Sequence, residues 1–93
     1  MSDYEPYVAD IDENDLIAHL ESALPPGVTV ERIERETDLI ASGIIDSFGI
    51  VGVVDFIEER FGVTVDDADI DPENFRTVIA IVAYISATRK GAR

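Results

Sequence analysis

A chain of 93 residues, 46% of them hydrophobic, has room for one small domain with a packed core. It contains no cysteine, which excludes a disulfide framework, a thiolate metal site and a cysteine nucleophile. Seven Lys and Arg against 20 Asp and Glu give a net charge of −13, and three of those seven bases, Arg89, Lys90 and Arg93, stand at the C-terminal end. Such a surface repels phosphate backbones and anionic lipid, which argues against nucleic acid and membrane as partners and for proteins with basic patches.

Residues 1–10, acidic and interrupted by Pro6, read as a flexible tail. Met1-Ser2-Asp3-Tyr4-Glu5 has neither the basic start nor the apolar stretch of a secretory signal. The longest apolar-rich run, Val78 to Ile85, is too short to span a bilayer, so a cytoplasmic protein is expected. A single domain should occupy residues 11–88, followed by a basic tail over 89–93.

The first helix should begin at Asp12, which can cap it, with Glu13 and Asp15 in the favourable first turn. Ile17, Leu20 and Leu24 recur at helical spacing, and Pro25-Pro26-Gly27 closes the run. A long connection follows from about Val28 to Asp46, with Val30, Ile33, Leu39 and Ile44 spaced through it as apolar anchors. Gly43 marks a backbone conformation that a side chain would resist.

A second helix is predicted from Ser47 to about Phe61, with Val51, Val54, Ile57 and Phe61 on its core face and Ile50, Val53 and Phe56 widening it. Gly62 suits its C-terminal cap. Gly49 and Gly52 each weaken a helix by roughly 1 kcal/mol relative to alanine. Either close approach of another molecule or tight packing by a neighbouring helix would account for them. After Val63-Thr64-Val65, a brief acidic turn or helix spans Asp66 to Ile70, and Asp71-Pro72-Glu73-Asn74 turns the chain. The last helix should run from Phe75 or Thr77 to Thr88, with Val78, Ile81, Val82 and Ile85 inward. The fold class is therefore all-α: a small bundle of three main helices plus one short helix, with a long loop between the first and second.

Chemistry is sparse. Ile45-Asp46-Ser47-Phe48-Gly49 lacks the first glycine of a nucleophile elbow, and the lone histidine, His19, reads as an exposed helix residue, so no catalytic residue is expected. Asp67, Asp69 and Asp71 have the alternate spacing of a calcium loop, but Pro72 replaces its turn glycine and Val78 its closing glutamate, so no metal site is expected. Asp46-Ser47 remains. Asp46 or Ser47 could simply cap the second helix. A hydroxyl there is also exposed, and the unpaired N–H groups of a helix start favour an anion, so a phosphodiester on Ser47 should sit in a favourable field.

Asp38-Leu39-Ile40-Ala41-Ser42-Gly43-Ile44-Ile45-Asp46-Ser47-Phe48 resembles the modification region of acyl carrier proteins. Phe75-Arg76-Thr77-Val78 with Ile81, Val82, Tyr84 and Ile85 is similar to the final helix of that family, and the likeness covers about residues 12–88. It implies a carrier without chemistry of its own. A phosphopantetheinyl transferase would move 4′-phosphopantetheine from coenzyme A onto Ser47, and the arm's thiol would hold acyl or aminoacyl cargo as a thioester. A loading ligase or acyltransferase, and downstream synthase or transferase enzymes with basic docking patches, would be its other partners.

By position, Asp46, Phe48, Ile50, Val51 and Asp55 would border the docking surface, with Glu58 and Glu59 adding charge further along. Carriers of fatty acid synthesis commonly bear acidic residues where this chain has Gly49 and Gly52, and Phe48 replaces their usual leucine or methionine. This favours a discrete carrier of a specialised pathway: polyketide, nonribosomal peptide or aminoacyl transfer. The alternative is a module of the same fold that binds a partner without being modified. Whatever the cargo, screening should relieve repulsion among the 20 carboxylates. The melting temperature should therefore rise with added salt or divalent cations in a thermal-denaturation series.

Overall fold

The computed structural model describes residues 13–91, so the expected tail over 1–10, the cap at Asp12 and the end of the basic tail lie outside the described residues. Within these residues three α-helices follow in order: α1 (Glu13–Ser22), α2 (Gly49–Phe61) and α3 (Val78–Gly91), with 3₁₀ turns at Asp67–Asp69 and Pro72–Phe75 between the last two. The all-helical bundle with a long first connection is as the periodicity indicates. None of the described helices is long and apolar enough to cross a membrane.

Among the described residues, sixteen buried apolar side chains make one core, drawn from all three helices and from the connections. α1 contributes Leu16 and Leu20, with Ile17 packed at the margin. It ends at Ser22, whose hydroxyl donates to the His19 carbonyl, so it stops before the prolines expected to end it, and Leu24 packs from outside the helix.

α2 buries Val53, Val54, Ile57 and Phe61. Val51, expected on this face, is 58% exposed. At 100° per residue it lies about a quarter turn from the centre of the buried stripe, a displacement that spacings of three and six residues tolerate poorly when carried from one end. The helix closes on Gly62 at φ 70°, whose N–H donates to the Glu58 carbonyl in a left-handed cap. α3 buries Val78, Ile81 and Ile85 completely and Val82 in part; it begins after Phe75, which is itself fully buried in the preceding 3₁₀ turn, and continues past Thr88.

The connection from Val28 to Asp46 has no regular element but is packed as firmly as the helices. Ile33, Leu39, Ile44 and Ile45 are all buried. Leu39 N–H donates to the Arg76 carbonyl at 2.7 Å, and Ile79 N–H donates to the Arg35 carbonyl at 3.3 Å, so the loop is stitched to the start of α3.

Arginines reinforce these joins. Arg35 forms a two-pronged pair with Glu13 of α1 at 2.7 and 3.2 Å, Arg60 of α2 pairs with Asp15 of α1, and Arg76 bridges Asp38 in the loop and Glu73. These pairs are solvent-accessible and individually weak, so they set register more than stability.

Because Leu39 is fully buried although it lies in a loop, Leu39→Ala should cost about 2–5 kcal/mol, the range of a core truncation. Urea unfolding of the two proteins measures this directly; a loss of a few tenths would mean that the loop is not part of the core.

Candidate functional site

The segment that carries Asp46 and Ser47 is built from the loop upward. The Asp38 carboxylate accepts from Ala41 N–H at 2.8 Å and Ile40 N–H at 3.2 Å, which winds residues 38–42 into a turn. The bond from Ala41, assisted by Arg76, holds the Asp38 carboxyl below the usual carboxylate range. Ser42 closes the turn through its hydroxyl, which donates to the Asp38 carbonyl at 2.6 Å. Gly43 then takes φ 81°, the left-handed conformation expected of it, and redirects the chain. Ile44 and Ile45 drop into the core, and Ile45 N–H returns to the Leu39 carbonyl at 2.9 Å. Two buried anchors thus precede an exposed Asp46-Ser47-Phe48.

Asp46, not Ser47, is the helix cap. Its Oδ1 accepts from Phe48 N–H at 3.1 Å and Gly49 N–H at 2.7 Å, and its carbonyl accepts from Ile50 N–H at 3.0 Å. Ser47 and Phe48 form the entering turn and regular helix begins at Gly49, two residues later than expected, because the Asp46 cap takes up the turn before it. The same bonds occupy two of the amides, those of Phe48 and Gly49, on which the expectation of an anion site beside Ser47 drew.

Gly49 is explained by this cap: a Cβ there would stand 3.2 Å from Asp46 Oδ1. Gly52 is not. It is exposed, and a Cβ there would meet nothing within 4 Å, so neither the cap nor a neighbouring helix requires it.

The residues expected to border a docking surface divide by environment. Asp46, Phe48, Val51, Asp55 and Glu59 are exposed, Phe48 at 84%. Ile50 is half-buried against the core. Glu58 is half-buried too, and its carboxylate accepts Val65 N–H at 3.0 Å, so its charge serves the connection after α2. This return bond spans seven residues and has no signature in helical periodicity.

His19 departs from the exposed position expected of it. Its ring stacks on Phe56 with centroids 4.3 Å apart and planes 14° from parallel, and burial lowers its pKa from the ordinary histidine value. Beside this pair a small cleft of about 90 Å³ opens between α1 and α2, bordered by His19, Ala23, Ile45, Gly49, Gly52 and Val53. Among the described residues the Ser47 hydroxyl has no hydrogen-bonding base and no group of residues is arranged to hold a metal ion. The acidic run has structural work instead: Asp66 and Asp71 cap the two 3₁₀ turns, and Asp69 accepts the Tyr84 hydroxyl at 3.0 Å.

An exposed serine that is positioned but not activated suits a group attached by another enzyme, since the reacting hydroxyl is accessible and its backbone is fixed. Comparison with known proteins points the same way. Residues 15–85 match the family model described as the phosphopantetheine attachment site. The chain is 32% identical over 73 residues to "Probable acyl carrier protein PigG" of Serratia sp. (strain ATCC 39006), an alignment covering 78% of this chain and 83% of that protein.

The cap makes a separable prediction. Asp46→Ala should lose about 1 kcal/mol of stability, whereas Asp46→Asn, which keeps an acceptor at the same place, should lose only a few tenths. Thermal denaturation of the two variants side by side checks it.

Proposed function

We propose that this chain, which belongs to the acyl carrier proteins built around a phosphopantetheine attachment site, bears its 4′-phosphopantetheine on Ser47. It is a carrier and not an enzyme. The arm supplies a terminal thiol on which acyl or aminoacyl cargo is held as a thioester. The observation that carries the assignment to Ser47 is its presentation: an exposed hydroxyl at the mouth of α2, between buried Ile45 and an α2 entry fixed by the Asp46 cap.

The chain's own residues accomplish three things in this reading. Ile44, Ile45 and the Asp46 cap hold the serine still while a transferase approaches. Exposed Phe48 and Val51 offer apolar contact beside it. Asp46, Asp55 and Glu59 provide negative charge along α2 for an enzyme with a basic docking patch, which raises the encounter rate and orients the approach. Ile50 supports this surface from beneath, and Glu58 contributes less because it is half-buried whereas Asp46, Asp55 and Glu59 are exposed. The partners are a phosphopantetheinyl transferase, a loading ligase or acyltransferase, and downstream synthase or transferase enzymes. Gly49 and Gly52, where fatty-acid carriers commonly have acids, favour a specialised biosynthetic pathway: polyketide, nonribosomal peptide or aminoacyl transfer.

Incubation with coenzyme A and a broad-specificity phosphopantetheinyl transferase should add one phosphopantetheinyl group to the wild type and none to Ser47→Ala, read by intact-mass spectrometry. Equal modification of both proteins, or of neither, would refute the assignment.

A further inference from the structure

The exposed face of α2 carries a gap. Phe48, Gly52, Asp55 and Glu59 follow one another at spacings of four, three and four, which places them on one strip along the helix, and all four are exposed. Phe48 projects as an apolar knob at 84% exposure, Asp55 and Glu59 bear charge, and Gly52 between them has no side chain. Nothing in the fold calls for that glycine, since a Cβ would find open space and alanine would make the better helix. The gap also has depth. Gly52 lies on the rim of the cleft whose apolar walls include Ile45 and Val53, both buried, with Ala23 and the His19 ring of α1 on the far side.

We infer that Gly52 is a notch through which the phosphopantetheinyl transferase inserts an apolar side chain into the α1–α2 cleft, so that the docking surface extends from α2 onto α1. The inference rests on the assignment of Ser47. Five residues at 1.5 Å each put Gly52 about 7.5 Å along the axis from Ser47, so an enzyme that reaches the serine hydroxyl also covers this strip. The cleft is small, about 90 Å³, and its apolar walls suit the tip of an aliphatic side chain. The carboxylates of Asp46, Asp55 and Glu59 around the strip call for a knob carried on a basic surface.

The experiment is steady-state kinetics of phosphopantetheinyl transfer, with coenzyme A and a broad-specificity transferase, on four variants. Gly52→Leu closes the notch from α2, and Ala23→Leu closes the cleft from the α1 side. Gly52→Ala tests the glycine itself, and Ala83→Leu on the exposed face of α3 is the control. Both leucine variants near the cleft should raise KM about tenfold with kcat unchanged, a difference of about 1.4 kcal/mol in binding. Gly52→Ala should melt roughly 4–8 °C higher yet raise KM in the same direction, and Ala83→Leu should alter neither. Wild-type modification is read first, so failure of the Ser47 assignment is seen separately. KM within about twofold of wild type for folded Gly52→Leu and Ala23→Leu, or a loss confined to kcat, would overturn the notch.

Discussion

The backbone hydrogen bond from Leu39 to the Arg76 carbonyl, 2.7 Å long, is the join on which the rest of the molecule turns. A connection with no regular structure cannot satisfy its own polar groups in the interior. This one does so by pairing with the threshold of α3, while the Leu39 side chain enters the core. The Leu39 carbonyl then receives Ile45 N–H, and Ile45 leads directly to Asp46 and Ser47. The segment that leads to the serine is thus held through contacts that run back to Arg76, a residue distant in sequence but brought close by the fold.

Much of this was legible in the sequence because helices advertise themselves by period. Leu20, Ile57, Val78, Ile81 and Ile85 fall where helical spacing puts them, and Gly43 and Gly62 both adopt the positive φ that their positions suggest. Composition and turn signals also identify the long connection and the serine at its end. The errors arise where long-range contacts override local pattern. Val51 continues an apolar series on paper, yet the helix turns it outward. His19 is a polar residue on an amphipathic helix, yet Phe56 from α2 supplies a flat partner that draws it in.

Roles at the site were harder to read than its location. That Asp46 rather than Ser47 caps α2 depends on which side chain reaches Phe48 and Gly49, a matter of ångströms that residue type alone leaves open. The reason for Gly49 follows only once that carboxylate has been placed. Glu58 illustrates the converse: an acid on a helix looks available for steering, but its carboxylate has folded back on Val65. Arg35, Arg60 and Arg76 likewise tie together segments far apart in the chain. Their carboxylate partners are engaged within the fold, whereas Asp55 and Glu59 of α2 are exposed.

The bonds of Asp46 also bear on what the start of α2 can offer a neighbouring group. By engaging the first amides of α2, the carboxylate leaves the fold without a ready cradle for a second anion at the same threshold. A phosphodiester borne on the adjoining serine, as proposed above, would find those two amides already engaged and would have to take its hydrogen bonds from water or from a receiving enzyme.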